Sequence, residues 1–546
     1  MEGVACYTRP AVPRLRDGAA AHGHREGVKE QVRALLSVAN RDGIAPFARD
    51  LAALGVELYA TDGTLEALRQ DGVEAQPVSA LTDHQSLAGG QVKTFHPQIY
   101  AGILARRQVP EEIAQLTEHG IGLIDIVVVN VKQFAPQLGS RSVPLDEAIE
   151  MIDVGGTALL TAAARNYASV AAVSSPRHYA RLLEELREMG TISADFRQRL
   201  AADALADVAA YFAEVAGYLN HIAGTRFPEH LAIVVEKVRD LSYGENPHQE
   251  AAFYRETTHR SGSLADAVQL QGDRPTLNDL LDLDAAYRIA SDFTAASCCI
   301  VKQTNPTGIA SSDRLIDAYQ RALDGDPVSA FGAVVALNRE VDGETASAIA
   351  GNAYEALVAP SFSAPAREVL AEKQHLALLA VPSTPFEGLT EYGISRLDFH
   401  RIDGGLLVET KDRSELDRSQ LKVVTKRRPT LEELTDMLFA WRAVRHVTSN
   451  AVVLARDGAL VGVGAGQASR LTAVEIALHK AADRAKLAVM ASDAYFPFAD
   501  AIQLAAERGI TAIIQPGGSM RDQMAIEVAD RHHMAMVFTG RRHYRR

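Results

Sequence analysis

The stretch ALLSVANRDGIAPFARDLAALGVELYAT (34–61) carries the alternation that decides the fold. The apolar run ALLSV (34–38) is followed by apolar residues at helical spacing, and VELYAT (56–61) again has the composition of a strand. Strand patterns return at IDIVVVNV (124–131) and VAAVSS (170–175). Because strands that alternate with helices form parallel sheets, the chain is predicted to be α/β. Later strand candidates are SCCIVKQ (297–303), GAVVALN (332–338), NAVVLAR (450–456), ALVGVG (459–464), TAIIQP (511–516) and MAMVFT (534–539).

Length, charge and cysteine content restrict the class of protein. The 546 residues correspond to three or four units of roughly 150 residues each. The 56 basic and 69 acidic residues give a formal charge of −13, which argues against binding of bulk nucleic acid. No apolar run reaches the roughly 18 residues of a membrane span. Three cysteines, two of them adjacent, indicate a reducing compartment. We therefore expect a cytoplasmic multidomain enzyme that binds neither nucleic acid nor a membrane.

Composition along the chain predicts four segments. Residues 1–30 mix Pro, Gly, Arg and His without a period and are predicted to be a flexible extension. An α/β domain is predicted over 31–176, a helical linker over 177–238, and a larger α/β region over 239–546. The last region is long enough for two subdomains.

Several segments rich in Gly, Pro and polar residues follow predicted strands, where α/β proteins bind ligands. Each segment alone is also explained by turn chemistry, which is the usual reason for a Gly-Gly pair. The sequence GVGAGQ (462–467) lacks the G-x-G-x-x-G spacing of a dinucleotide site, and Cys298-Cys299 lacks the spacing of a zinc site. We therefore predict no metal and no resident nicotinamide or flavin cofactor. The segments rich in Gly, Pro and polar residues that follow predicted strands are TDGT (61–64), QVKTFHP (91–97), IDVGG (152–156), YGENPHQ (243–249), KQTNPTG (302–308), DPVSAFG (326–332), GAGQASR (464–470), ASDAYFPFAD (491–500) and QPGGS (515–519).

Ten motifs in one order identify a family. The chain resembles the bifunctional purine-biosynthesis proteins, AICAR transformylase/IMP cyclohydrolase, over roughly residues 33–546. The resemblance implies a methylglyoxal-synthase-like N-terminal domain and two cytidine-deaminase-like transformylase subdomains without zinc. It also implies a homodimer. The motifs are VKTFHPQIYAGILARR (92–107), MIDVGGTALLTAAARNY (151–167), LSYGENPHQ (241–249), VKQTNPTGIA (301–310), DPVSAFGAVVALNREVD (326–342), SNAVVLA (449–455), GVGAGQASR (462–470), SDAYFPFAD (492–500), IQPGGS (514–519) and MVFTGRRHYRR (536–546).

The activity implied by this resemblance has two steps. A formyl group passes from the co-substrate 10-formyltetrahydrofolate to the amine of AICAR, a ribotide, and the product then cyclises with loss of water to IMP. For the first step the resemblance implies catalytic roles for Lys302, Gln303, Asn450 and His248. The family has a histidine base at the position of Gln303, and a neutral amide cannot accept a proton at pH 7. A general base contributes about 10²–10⁴ in rate.

The resemblance also implies binding residues for both transformylase substrates. At the ribotide subsite Ser242 replaces a usual Arg and Asp279 replaces a usual Asn, so this subsite departs from the family pattern more than the folate subsite does. The ribotide residues are Tyr243, Asn278, Asp279, Asn305, Ser329, Phe331, Gly332, Glu355, Gln467 and Arg542. The folate residues are Tyr495, Phe498, Asp500, Gly464 and Gly466.

The cyclohydrolase half keeps some family positions and changes others. The resemblance implies catalytic roles for Lys93, Asp153, Arg165 and Lys132. Lys132 stands at the position where the family has a tyrosine. Arg165 replaces a lysine, and an arginine side chain does not release a proton in a protein. The implied binding residues are Thr64, Thr94, Gly155 and Gly156.

These departures leave three interpretations open. A divergent housekeeping enzyme would use another base, such as His248 or His543. A paralogue from a pathway to a nucleotide analogue would act on a different heterocycle or retain one half-reaction. A catalytically silent partner would bind a ribotide or a folate without turning it over.

Overall fold

The computed structural model describes residues 31–131, 134, 144–257, 262–382, 393–413 and 416–546. The predicted extension over 1–30 lies outside these residues. The chain divides into a first unit, Met1–Gln133 with Met151–Tyr211, and a second unit, Phe134–Glu150 with Phe212–Arg546. No helix of the described ranges is long and apolar enough to cross a membrane.

The predicted alternation of strands and helices is present throughout both units. The strands are β1 (Arg33–Val38), β2 (Glu57–Ala60), β3 (Gln76–Pro77), β4 (Ile126–Asn130), β5 (Ala171–Val173), β6 (Val235–Leu241), β7 (Ala251–Glu256), β8 (Val268–Gln271), β9 (Ala296–Lys302), β10 (Asn305–Ser312), β11 (Ala333–Leu337), β12 (Tyr354–Ala359), β13 (Ala377–Ala380), β14 (Leu397–Ile402), β15 (Gly405–Thr410), β16 (Lys422–Val423), β17 (Val452–Arg456), β18 (Ala459–Gly464), β19 (Val489–Ser492), β20 (Ala512–Gln515) and β21 (Ala535–Phe538).

The helices lie between these strands and cover the sheets. They are α1 (Ile44–Ala53), α2 (Asp62–Gln70), α3 (Pro97–Leu104), α4 (Pro110–Glu118), α5 (Leu145–Glu150), α6 (Val154–Arg165), α7 (Tyr179–Met189), α8 (Ala194–Ile222), α9 (Leu277–Ser291), α10 (Leu315–Gly325), α11 (Gly343–Ala350), α12 (Ala364–Leu370), α13 (Leu431–Val444), α14 (Arg470–Ala481), α15 (Asp500–Glu507) and α16 (Asp522–Arg531).

The first unit contains a five-stranded parallel sheet in the order β3-β2-β1-β4-β5. Apolar residues cover both faces, as a parallel sheet requires. Leu182, Phe196 and Leu200 are fully or almost fully buried in the core on one face. Residues 177–211, predicted as the start of a linker, therefore belong to the first unit and help to form its core.

The second unit is built on a twelve-stranded sheet whose two halves match strand by strand. The order is β16-β21-β20-β19-β17-β18-β10-β9-β11-β12-β13-β8, with β10 and β18 antiparallel at the centre. Reading outward from the centre, β10-β9-β11-β12-β13-β8 corresponds to β18-β17-β19-β20-β21-β16. The sheet therefore consists of two structural repeats, which agrees with the two predicted subdomains. The separate pairs β6–β7 and β14–β15 complete the unit.

Candidate functional site

A two-residue hairpin turn presents Lys302 and Gln303. Strand β9 is buried from Ser297 to Val301 and ends at the exposed Lys302, which pairs with Asn305 across the turn. Both turn residues, Gln303 and Thr304, have left-handed backbones, with φ of 52° and 59°. The Lys302 ammonium donates a hydrogen bond to the carbonyl oxygen of Phe331 over 2.5 Å. The predicted catalytic lysine is thus fixed at the end of a rigid strand.

Gly332 leaves an open space beside that ammonium. Its φ is 63°, and a Cβ built on it would lie 3.9 Å from Lys302 Nζ and 3.6 Å from Glu355 Oε1. Phe331, directly before it, is 71% exposed. The structure therefore brings four predicted residues, Lys302, Phe331, Gly332 and Glu355, to one exposed edge of the sheet.

Asn305 links the turn to a second loop. Its amide nitrogen donates to the Gln303 carbonyl over 3.1 Å, and its amide oxygen accepts from the Thr448 N–H over 2.9 Å. The Thr448 carbonyl in turn accepts from the Gly466 N–H over 2.7 Å. The segments 303–305, 448–450 and 464–470 are therefore joined into one framework, although they lie far apart in sequence.

The Asn450 side chain is engaged within this framework. Its amide nitrogen donates to the carbonyl oxygens of Gln467 and Ala468 over 2.7 and 3.2 Å. Its amide oxygen accepts from Arg470 over 2.8 Å. Both amide hydrogens are thus committed to the 464–470 loop. These contacts hold Gln467 and the loop in place.

Arg470 and Asp493 form a buried ion pair within the framework. Asp493 lies in the motif ASDAYFPFAD (491–500) but is not among the predicted site residues. Arg470 is 6% exposed and Asp493 is fully buried, and the two side chains form an ion pair. The Ser449 hydroxyl donates to the same carboxylate. Because both charged groups are removed from water and make additional hydrogen bonds, this ion pair fixes the surrounding segments firmly in place.

Asp279 has a role that its motif did not predict. It is the third residue of α9, and its carboxylate accepts from the backbone N–H and the hydroxyl of Thr276, both over 2.8 Å. Thr276 and Asp279 thus form a capping box. The acid that replaces the family's Asn is therefore used to start the helix, and this explains its presence without a ribotide.

The YGENPHQ segment lies against the start of the same helix. Asn278 donates from its amide nitrogen to the Glu245 carbonyl over 3.3 Å. His248 is exposed and Tyr243 is half-buried. The segment therefore places an accessible imidazole on a loop tied to α9.

Two further predicted residues are held by local contacts. The Ser329 hydroxyl donates to Asp326 over 2.8 Å, and Lys480 pairs with the same carboxylate over 3.1 Å. Burial favours a higher pKa for Asp326, but the contacts from Ser329 and Lys480 outweigh it and hold that pKa below its ordinary value. The Arg542 guanidinium lies 4.6 Å from the centroid of the Tyr544 ring.

His543, one of the two alternative bases, is not presented to the Lys302 edge. It is 3% exposed, its Nδ1 lies 2.5 Å from Asp412 Oδ2, and its ring lies against Trp441 with centroids 5.0 Å apart. His543 therefore contributes to the packing of the C-terminal segment.

The predicted folate residues divide into exposed and structural positions. Tyr495 and Phe498 are 39% and 54% exposed, and the Arg521 guanidinium lies 4.6 Å from the Phe498 centroid. Asp500 starts α15. Gly464 is required by packing, because a Cβ there would lie 1.9 Å from the Ala473 carbonyl oxygen. Gly466 has a φ of 65° and donates to Thr448.

In the first unit, the Lys93–Thr94 segment meets the start of α6. Asp153 caps this helix, accepting from the Gly156 N–H over 2.8 Å, and its own N–H donates to the Tyr211 hydroxyl over 2.7 Å. A Cβ at Gly155 would lie 3.4 Å from the Thr94 hydroxyl oxygen. Lys93 is half-buried beside Thr94. Five predicted residues are thus gathered around one helix N-terminus.

Thr64 and Asn130 accept hydrogen bonds from backbone N–H groups at the end of β1 and directly after it. Thr64, 1% exposed, accepts from the Val38 N–H over 2.9 Å. The Asn130 amide oxygen accepts from the N–H groups of Ala39 and Asn40 over 2.6 and 2.8 Å. These contacts lie at the carboxyl ends of β1 and β4, where parallel sheets bind ligands.

Another predicted catalytic residue of this unit, Arg165, does not join the cluster. Arg165 is exposed at the far end of α6, twelve residues from Asp153, which is about 18 Å along the helix axis. Lys132 lies outside the described residues. Within the described ranges, no group of three or more His, Cys, Asp or Glu side chains could hold a metal ion.

Comparison with known proteins gives matches over both units. The AICARFT/IMPCHase bienzyme family model matches residues 163–480, and the MGS-like domain model matches residues 43–158. The bifunctional purine biosynthesis protein PurH of Desulfitobacterium hafniense (strain DSM 10664 / DCB-2) is 44% identical over 521 residues, covering 94% of this chain and 99% of the relative. PurH of Halalkalibacterium halodurans is 44% identical and that of Bacillus subtilis (strain 168) 41% identical over 513 residues, with the same coverage.

A crystal structure of ForH is 33% identical and covers 34% of this chain and 97% of its own, with a TM-score of 0.32, which carries no structural argument. The relatives match this chain along nearly its whole length, and the predicted fold, an MGS-like domain followed by a transformylase region, is confirmed. The chain belongs to the AICARFT/IMPCHase bienzyme family.

Proposed function

We propose that the second unit transfers the formyl group of 10-formyltetrahydrofolate to the amine of AICAR, and that the first unit closes the product to IMP. The observation that carries the proposal is the framework that joins the Lys302–Gln303 turn to Asn450 and the 464–470 loop. It supplies a fixed cation at an exposed edge and links it to Gln467 and Gly466, which are predicted for the ribotide and the folate.

In the transfer step, the AICAR amine attacks the formyl carbon, the bond from that carbon to the folate nitrogen breaks, and the amine proton must leave. The attack places negative charge on the formyl oxygen. The Lys302 ammonium, held by the Phe331 carbonyl, stabilises that charge. Gln303 orients a substrate through its amide, and the exposed His248 is the accessible imidazole for the proton.

In the cyclisation step, the carboxamide nitrogen attacks the formyl carbon and water is lost. Lys93 stabilises the oxyanion, and Asp153 moves a proton at the start of α6. Thr64, Thr94 and the backbone at Gly155 and Gly156 bind the ribotide near two helix N-termini. Arg165, at the far end of α6, takes no direct part in this step.

We propose that the functional boundary between the halves follows the two units, so that the cyclohydrolase domain includes residues up to Tyr211. The protein works as a homodimer in the cytoplasm. Exposed apolar side chains of the second unit, such as Phe227, Tyr254 and Leu407, favour burial against a second copy. Cys298 and Cys299 are free and buried, which suits a reducing compartment. Light scattering across a dilution series measures the oligomeric state.

The test of the function follows each step separately. The purified protein is incubated with AICAR and 10-formyltetrahydrofolate, and tetrahydrofolate and IMP are measured. Lys302→Met removes the transfer cation, so it abolishes tetrahydrofolate release but still closes added formyl-AICAR to IMP. Lys93→Met has the opposite effect. Failure of the wild-type protein to form tetrahydrofolate from AICAR, with the fold intact by circular dichroism, overturns the proposal.

A further inference from the structure

The two repeats of the second unit carry the same carboxylate at the same position. In the first repeat, Thr276 caps α9 and Asp282 lies six residues later. In the second repeat, Thr430 caps α13 and Asp436 lies six residues later. Each member of the second pair is 154 residues after its counterpart. The two helices are therefore in register, and this register defines which residues correspond.

Each carboxylate binds the turn of its own hairpin through two backbone N–H groups. Asp282 accepts from Gln303 and Thr304 over 3.0 and 2.6 Å. Asp436 accepts from Asp457 and Gly458 over 2.7 Å each. Burial raises the pKa of both Asp282 and Asp436 above the ordinary value, although these N–H groups oppose the shift. Each repeat thus uses a partly buried aspartate, Asp282 or Asp436, to hold a tight turn.

The two turns differ in sequence although they have the same conformation. The second repeat uses Asp457-Gly458, with φ of 55° and 73°, which is the residue pair that left-handed hairpin turns favour. The first repeat uses Gln303-Thr304, and a β-branched residue at a φ of 59° is strained. The turn with unfavourable residues therefore depends more on its carboxylate than the turn with favourable residues does.

The residue before each turn is a cation that binds a backbone carbonyl. Lys302 donates to Phe331, and Arg456 donates to Lys486 over 3.0 Å. In the first repeat, hydrogen bonds from Thr448 to Asn305 and from Gly466 to Thr448 link the turn to the 464–470 loop. In the second repeat, by contrast, Arg321 and Ser311 donate to the turn carbonyls of Asp457 and Gly458. Lys302, the proposed catalytic cation, therefore precedes the strained turn 303–304, and Arg456 precedes the unstrained turn 457–458.

We propose that Asp282 is a positioning residue for formyl transfer: by holding the Gln303 and Thr304 N–H groups, it fixes the direction of Lys302 and Gln303 at the site. This role rests on the proposed transformylase function. Asp282 does not contact the reacting atoms. It acts through the backbone of the turn.

The chain provides a matched control for the test. Asp282→Asn and Asp436→Asn each replace a carboxylate that accepts two N–H groups by an amide with one oxygen, so each loses a comparable backbone contact. In Asp282→Asn, kcat for tetrahydrofolate release falls by about tenfold or more, because small displacements of a catalytic group cost up to about 10²-fold. The KM for AICAR stays within about twofold, as expected for an interaction used in the transition state. Asp436→Asn keeps kcat within about twofold of wild type.

Four further measurements separate positioning from loss of fold. The melting temperatures of the two Asn variants are compared, and cyclisation of formyl-AICAR by the first unit is the internal control. Backbone amide exchange over 302–305 rises in Asp282→Asn. The double variant Asp282→Asn with Thr304→Gly recovers most of the lost kcat, because glycine adopts the left-handed conformation without a carboxylate to hold it.

The outcomes distinguish the two proposals. Wild-type turnover together with a normal kcat in Asp282→Asn, or an equal loss in Asp436→Asn, overturns the positioning role alone. A loss of kcat that the double variant does not recover also overturns it. Absence of wild-type tetrahydrofolate release overturns the transformylase function, and the positioning role with it.

Discussion

The Asp292 carboxylate and the His446 imidazole lie 3.0 Å apart and occupy equivalent positions in the two repeats of the second unit. Each follows its capping threonine, Thr276 or Thr430, by sixteen residues. Asp292 also pairs with Arg445 over 2.5 Å, and Arg545 donates to the His446 carbonyl. Corresponding residues of the repeats thus meet in a half-buried cluster of one acid, one imidazole and two guanidinium groups.

This cluster predicts a pH dependence of stability. Burial, helped by Arg445 and Arg545, holds the pKa of His446 below its ordinary value, although Asp292 opposes the shift. The unfolded chain then binds the proton at a higher pH than the folded chain does. Stability is therefore present above the ordinary histidine pKa and falls as the pH drops below it, by up to about 1.4 kcal/mol per pH unit for one proton.

The measurement is urea unfolding between about pH 7 and pH 5.5, the range just around and below the ordinary histidine pKa. His446→Gln keeps an N–H near Asp292 but does not titrate, so its stability changes less over this range than that of the wild type. His479→Gln, which alters an exposed histidine of the same unit, is the control and follows the wild-type slope. Equal slopes for wild type and His446→Gln contradict the prediction.

Removing one partner of the buried Arg470–Asp493 pair destabilises the second unit. Asp493→Ala leaves a buried guanidinium without its carboxylate and frees the Ser449 hydroxyl, which costs about 3–5 kcal/mol. Chemical denaturation measures the change. The exposed pair Arg314–Glu344 is the comparison, and Glu344→Ala leaves the unfolding midpoint unchanged. If the two variants change the unfolding midpoint by similar amounts, Asp493 does not have this structural role.

The two hairpin turns predict opposite effects of exchanging their second residues. Thr304→Gly relieves a β-branched residue at a φ of 59° and stabilises the protein by about 1 kcal/mol. Gly458→Thr introduces the same strain at a φ of 73° and costs about 1–2 kcal/mol. Unfolding midpoints of both variants give the signs, and two changes of the same sign contradict the strain argument.

Gln303→His supplies an imidazole beside Lys302, and histidine tolerates the left-handed backbone better than most residues. We expect kcat for formyl transfer to rise by about 10²-fold, the lower end of a general base's contribution, because the new imidazole lies on the same turn as Lys302, whereas the proposed base His248 lies on an exposed loop. The gain disappears at a pH below the imidazole's pKa, because the protonated ring accepts no proton. Gln303→Asn is the control and gives no gain. If Gln303→His also gives none, the base is supplied elsewhere, and loss of activity in His248→Ala identifies it.

Two variants separate the capping role of Asp153 from its chemical role. Asparagine is as good an N-cap as aspartate, so Asp153→Asn keeps the stability of the first unit, whereas Asp153→Ala loses about 1 kcal/mol. Both variants lose the cyclisation of formyl-AICAR, because neither provides a carboxylate. Thermal unfolding and an IMP assay measure the two effects. Full cyclisation activity in Asp153→Asn shows that the residue acts only as a cap.

Short-range patterns in the sequence determined the elements and the family. The runs ALLSV (34–38) and ALVGVG (459–464) predicted β1 and β18 almost to the residue, because the period of apolar residues reflects the local backbone. The ordered motifs also located the segment around Lys302 and Gln303. These features depend on residues close together in the chain, and so they can be read without the fold.

Tertiary packing decided what the individual polar residues do. Asp279, predicted as a ribotide-binding residue, caps a helix. Asp282 lies 21 residues before Gln303 in the sequence and accepts a hydrogen bond from its backbone N–H. Asn450 is bound to the 464–470 loop, and Arg165 is separated from Asp153 by the length of α6. A side chain's partners depend on which strands pair and which helices cover them, and those contacts join residues as distant as Asp292 and His446. Sequence therefore predicted which residues belong to the candidate site, and only the folded chain determined which of them contact one another and which hold the others in place.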